Sequence, residues 1–104
     1  MLISDLKLEN NGELETLSAL VEFELTKVSA KTLRISVPVE YENMLYEGYE
    51  PFLLGCYSAA LYHNEKRIHV KGTICPYLKD HLTSALILQK QWWFPKGFNL
   101  PEIT

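Results

Sequence analysis

Cys75 stands immediately before Pro76, and proline suits the first position of a helix because its missing N–H is not needed there. A helix N-terminus carries partial positive charge, which favours a thiolate over a thiol. Cys75-Pro-Tyr-Leu therefore holds one element of a thiol active site, and Cys75 is the one catalytic candidate in the chain. The second cysteine of a redox motif is replaced by Leu78. The same residue serves equally as a buried or capping cysteine without chemistry.

Cys56, His63, His69, Cys75 and His81 are all zinc-ligand types. Their spacing contains no C-x-x-C or H-x-x-x-H pair to nucleate a site, so no metal is expected. Asp80 and His81 are adjacent, and on a helix they diverge by about 100° instead of facing one another. Glu40, Glu42, Glu47 and Glu50 form a local acidic run. Paired carboxylates do acid–base work when burial drives their pKa values apart. These four lie in a connection, where solvation is the expectation. Lys66, Arg67, Lys71, Lys79 and Lys90 can form a small basic surface. Gly48, Gly55 and Gly72 are isolated, so there is no glycine-rich phosphate cradle and no cofactor is implied.

Trp92-Trp93-Phe94-Pro95 is the strongest candidate for contact with another molecule. On a helix the two tryptophans differ by about 100°, which makes both hard to bury beneath one small sheet. One can close the core while the other anchors a partner, since aromatic residues are favoured interface anchors. Equally, the tail from Phe98 onward can cover both. The interaction set is Trp92, Trp93 and Phe94.

The elements that must position these residues follow from hydrophobic period. Met1 to Leu8 reads as a first strand, and Asn10-Asn-Gly12 as a turn, because Asn and Gly tolerate positive φ. Thr16 to Thr26 reads as a second strand with Ala19, Val21, Phe23 and Leu25 facing the core. Thr32 to Val39 reads as a third, with Leu33, Ile35, Val37 and Val39 on one face. Pro38 belongs near its end, since proline cannot donate to a central ladder. A helix from Pro51 to Tyr62 is apolar nearly all round and is expected to be deeply buried. The strand Arg67 to Lys71 alternates Ile68 and Val70 with charged residues and stops at Gly72. The last helix, Pro76 to Trp93, places Leu78, Leu82, Ala85, Leu86 and Trp93 on one face, and Pro95 and Gly97 end it. Leu100 and Ile103 can add a short final strand. The reading is a single α+β domain over residues 1–104. Its order is βββαβα, with a possible final β, and an antiparallel sheet carries both helices on one face.

Composition narrows the function classes. The 104 residues suit one core, and 47% hydrophobic with 22% charged residues is ordinary for a folded protein. A net charge of −3 argues against a dedicated nucleic-acid binder. No apolar run is long enough to cross a bilayer, so no membrane association is expected. Met1-Leu-Ile-Ser-Asp lacks the basic and apolar regions of a secretory signal, which points to the cytoplasm. There Cys56 and Cys75 would remain thiols.

Tyr49-Glu-Pro-Phe-Leu-Leu-Gly, Ile68-His-Val-Lys-Gly, Cys75-Pro-Tyr-Leu and Trp92-Trp93 together form a pattern. It resembles the N-terminal segments of some bacterial asparagine-synthase-like, PP-loop ATP pyrophosphatase proteins, over about residues 33–104. The motifs that carry this likeness are packing motifs. The family's glycine- and serine-rich ATP loop has no counterpart here, so no catalytic residue carries over. The resemblance implies a non-enzymatic interaction or accessory domain, part of a larger bacterial enzyme or associated with one, with a protein partner or a homodimer contact. Two rivals stand beside it. One is a small enzyme using Cys75. The other is a toxin-neutralising immunity protein, a class in which compact acidic α+β chains occur.

Overall fold

In the computed structural model, residues 1–45, 47–93 and 97–104 are described. The first strands are β1 (Leu2–Asn10) and β2 (Leu14–Glu22), joined by a tight turn. Asn11 makes that turn. Its Oδ1 accepts from the Leu14 amide at 2.8 Å, its own amide donates to the Leu14 carbonyl, and Gly12 takes φ of 91°. A side chain other than Asn or Gly is disfavoured there. β3 (Lys31–Pro38) pairs antiparallel with β2. A 3₁₀ turn over Val39–Met44 then leads to helix α1 (Glu50–Tyr62), strand β4 (Arg67–Val70), helix α2 (Pro76–Trp93) and the short strand β5 (Glu102–Ile103).

The strands lie in the order β3-β2-β1-β4-β5. β1 with β2 and β2 with β3 are antiparallel, whereas β4 runs parallel to β1 and β5 parallel to β4. The α+β class and the mostly antiparallel sheet therefore agree with the sequence pattern, and the final strand forms. The parallel pairings are a correction. Each helix carries the chain back over the sheet, so the strand that follows enters in the direction of the strand before it. β3, β1, β4 and β5 share one direction and β2 alone opposes them.

One face of the sheet is apolar. Ile3, Leu17, Ala19, Val21, Ile68 and Val70 are buried together with Phe52, Leu53, Cys56, Leu61, Leu82 and Leu86 of the two helices. Asp5, Lys7, Thr16, Ser18, Thr32 and Arg34 line a shallow groove on the other face. Both helices thus cover one side, as α+β layering requires.

Several boundaries differ from the sequence pattern. β2 ends at Glu22, so Phe23 is half-buried and Leu25 is 51% exposed instead of sealed in the core. The Glu24 and Leu25 amides leave the ladder and donate to the carboxylate of Glu65 at 2.7 and 2.9 Å. On β3, Leu33, Ile35 and Val37 are only half-buried, because β3 is the edge strand farthest from β4. α1 is less enclosed than its composition suggests. Phe52, Leu53, Cys56, Ala60 and Leu61 are buried, but Leu54 and Tyr62 are exposed. Only one face of a helix can meet a single sheet, and α2 covers just part of the remainder.

Candidate functional site

The first candidate lies where both helices begin. A cavity of about 480 Å³ is lined by Leu6, Glu47, Gly48, Tyr49, Glu50, Thr73, Ile74, Cys75 and Pro76. A bulge in β1 shapes one wall. The register shifts between Ser4 and Lys7, and Asp5 takes φ of 58°, so the Leu6 amide leaves the ladder. The Tyr49 hydroxyl accepts that amide at 3.1 Å. The Tyr49 ring in turn fills the space over Gly72, where an added Cβ would sit 2.6 Å from a ring carbon. The glycine that ends β4 is thus required by close approach, and its φ is not in the left-handed region.

Cys75 is exposed at the mouth of this cavity, and its amide donates to Glu50 Oε1 at 3.2 Å. Glu50 caps the start of α2 from the start of α1, with its carboxylate near two partly positive helix ends. Its other oxygen, Oε2, is buried without a hydrogen-bond partner. The arrangement joins a thiol, the two carboxylates of Glu47 and Glu50 and the Thr73 hydroxyl, but no histidine is among the described lining residues. A thiol nucleophile without an imidazole base has only half of the usual activating pair.

The other titratable candidates disperse. His63 packs edge-on against Phe23 and Tyr62, and His69 Nδ1 lies 2.9 Å from Thr104 Oγ1. His81 lies beside Tyr77 and Leu78 on the outside of α2. Cys56 is buried in α1, and burial pushes its thiol pKa up. Among the described residues no group of three His, Cys, Asp or Glu could hold a metal ion. Of the acidic run, Glu40, Glu42 and Glu47 are exposed, whereas Glu50 is half-buried and engaged, which corrects the expectation of a solvated residue. Of the basic set, Arg67 is committed to a two-pronged pair with Glu24, its Nε and Nη2 donating at 3.0 and 2.9 Å.

One buried charge cluster escaped the sequence reading. Glu65 is fully buried and pairs with the Met1 ammonium at 2.8 Å, while Glu24 accepts from the same ammonium at 2.8 Å. Burial acts to raise the Glu65 pKa, but the ammonium and the Glu24 and Leu25 amides outweigh it and hold the carboxyl below its ordinary value. The Arg67 guanidinium, with the ammonium behind it, lowers the Glu24 pKa to about 2. Nothing in His63-Asn-Glu-Lys66 announces this role. It depends on the departure of the chain from β2, which no local pattern encodes.

The second candidate is the end of α2. Trp92 and Trp93 are 66% and 63% exposed and meet edge-to-face with ring centroids 6.2 Å apart. Trp93 was expected on the buried face with Leu82 and Leu86. Those two leucines are buried, but the tryptophan is not. An 18-residue helix is about 27 Å long, and α2 packs against α1 and the two-residue strand β5. Phe94, the third member of the expected cluster, lies outside the described residues. Comparison of the chain with protein-family models, with curated proteins and with solved structures gave no match.

Proposed function

We propose that this chain is a non-enzymatic accessory domain that binds protein, as part of a larger bacterial enzyme or in association with one. The observation that carries the reading is the exposure of both tryptophans at the end of α2. Two large aromatic rings left in water are unfavourable for a solitary chain and favourable at an interface, where such residues dominate binding. Two free thiols and no disulfide among the described residues suit a reducing cytoplasm. The partner class follows from the resemblance of residues 33–104 to the segment that precedes the catalytic unit in asparagine-synthase-like PP-loop ATP pyrophosphatases.

Calorimetric titration of the chain into such a catalytic unit tests the reading. The expected result is micromolar binding that Trp93→Ala weakens by about thirtyfold, the loss of a central aromatic anchor. Absence of binding, together with a turnover that Cys75→Ser abolishes, would replace the accessory domain with a thiol enzyme.

A further inference from the structure

The cavity where both helices begin takes no part in the accessory reading. Its volume of about 480 Å³ falls in the ordinary range of small-molecule sites. Leu6, Ile74 and Pro76 give it apolar walls. Its described lining residues carry two carboxyl groups, those of Glu47 and Glu50, and no Lys, Arg or His. Such a cavity, apolar with a few polar groups of one sign, selects its ligand by charge.

Helix N-termini ordinarily favour anions, because their free N–H groups point outward. Here those groups are missing or engaged at the lining residues. Pro76 has no N–H, and the Cys75 amide is already given to Glu50 Oε1 at 3.2 Å. At the start of α1, Pro51 has no N–H, and the Phe52 and Leu53 amides go to the Tyr49 carbonyl at 3.0 Å each. The acceptors, by contrast, are in surplus. Glu50 Oε2 is buried without a hydrogen-bond partner, so the Glu50 charge is only partly compensated. A carboxylate short of donors gains from a cation placed nearby. Among the described residues no three His, Cys, Asp or Glu groups converge on a metal position, so the geometry favours an organic cation.

We propose that this cavity binds a small organic cation, a primary ammonium carried on an apolar body. The ammonium has three donors and no acceptor, which matches a lining of carboxylates and the Thr73 hydroxyl. The apolar body rests on Leu6, Ile74 and Pro76. Cys75, exposed at the mouth, is covered when the site is filled. The proposal goes beyond the protein-binding reading and does not depend on it, because none of the lining residues belongs to the tryptophan pair.

Titration of the full chain with benzylammonium, followed by amide NMR shifts, tests the site. Benzyl alcohol and benzoate serve as probes of similar shape and different charge, and circular dichroism verifies the fold of each variant. Benzylammonium is expected to bind with a dissociation constant of about 1 mM, ordinary for so small a ligand. It should shift the Gly48, Thr73 and Ile74 amides and slow the alkylation of Cys75. Benzyl alcohol should bind about tenfold more weakly, and benzoate should not bind. Glu50→Gln should raise the benzylammonium constant by about tenfold. Glu47→Gln should raise it by about threefold, because Glu47 is exposed. Thr73→Lys, at an exposed position, should abolish benzylammonium binding. The inference is overturned if benzylammonium leaves both the shifts and Cys75 unaffected, or if the three probes bind equally. An affinity indifferent to both Glu50→Gln and Thr73→Lys overturns it as well. Binding of the catalytic unit is read separately through Trp93→Ala, so this site and the accessory reading can fail independently.

Discussion

Glu65 and Glu50 sit at opposite ends of α1 and answer burial in opposite ways. Glu65, just beyond the helix C-terminus, has both oxygens occupied by two backbone amides and the Met1 ammonium. Glu50, at the N-terminus, has one oxygen on the Cys75 amide and the other buried without a partner. The difference shows that a buried carboxylate is structural in proportion to the donors gathered around it. Glu65 ties β4, the end of β2 and the first residue into one unit. Glu50 closes only the start of a helix, beside an open cavity.

The largest expected effect is at the satisfied carboxylate. Glu65→Ala should cost about 3–5 kcal/mol in denaturant titration, because a buried ammonium and two amides lose their acceptor together. The same cluster sets the acid limit. Glu24 and Glu65 have lowered pKa values, so their contribution is complete above the ordinary carboxylate value of 4.5. For Glu24 it is lost as pH falls through about 2. Glu24→Gln should flatten the decline in stability between those two pH values. An unchanged acid limb in that variant would mean that the pair with Arg67 does not persist in solution.

A smaller effect is expected at the cavity wall. Gly72→Ala places a methyl group against the Tyr49 ring and should cost about 1–3 kcal/mol, as overpacking does. Combining it with Tyr49→Ala should recover most of the packing strain while losing the acceptor of the Leu6 amide. The smallest effect belongs to Glu50→Gln. The amide keeps an oxygen for the Cys75 N–H and removes a charge from a buried position, so stability should change by less than about 1 kcal/mol. A loss as large as that of Glu65→Ala would erase the contrast between the two carboxylates.

Much of this fold was legible in the chain. Alternation of Ile68 and Val70 with polar neighbours, the Asn-Gly turn and Pro76 at the first helical position each act within a few residues, and the elements they predict are present. The placement of Leu82 and Leu86 inside was legible too, because a 3.6-residue period reports which face is apolar. Leu25 and Trp93 misled for a shared reason. Period states which side a residue faces, but not whether the layer opposite extends far enough to cover it. β2 ends before Leu25, and Trp93 in the last turn of α2 is left exposed.

The candidate site was less legible. Cys75 was identified by its neighbour Pro76, a local signal, but the carboxylate that receives its amide comes from the start of another helix. Tyr49, Gly72 and the bulge at Asp5 form one wall from three distant segments. The sequence by itself determined the class of each element and the apolar side of the sheet, because these depend on spacing along the chain. Only the tertiary structure decided that β4 and β5 join in parallel, that Glu65 is buried and satisfied, and that both tryptophans remain in water. Those outcomes depend on which segments meet and where each layer stops, and contacts between distant residues leave no period in the chain to read.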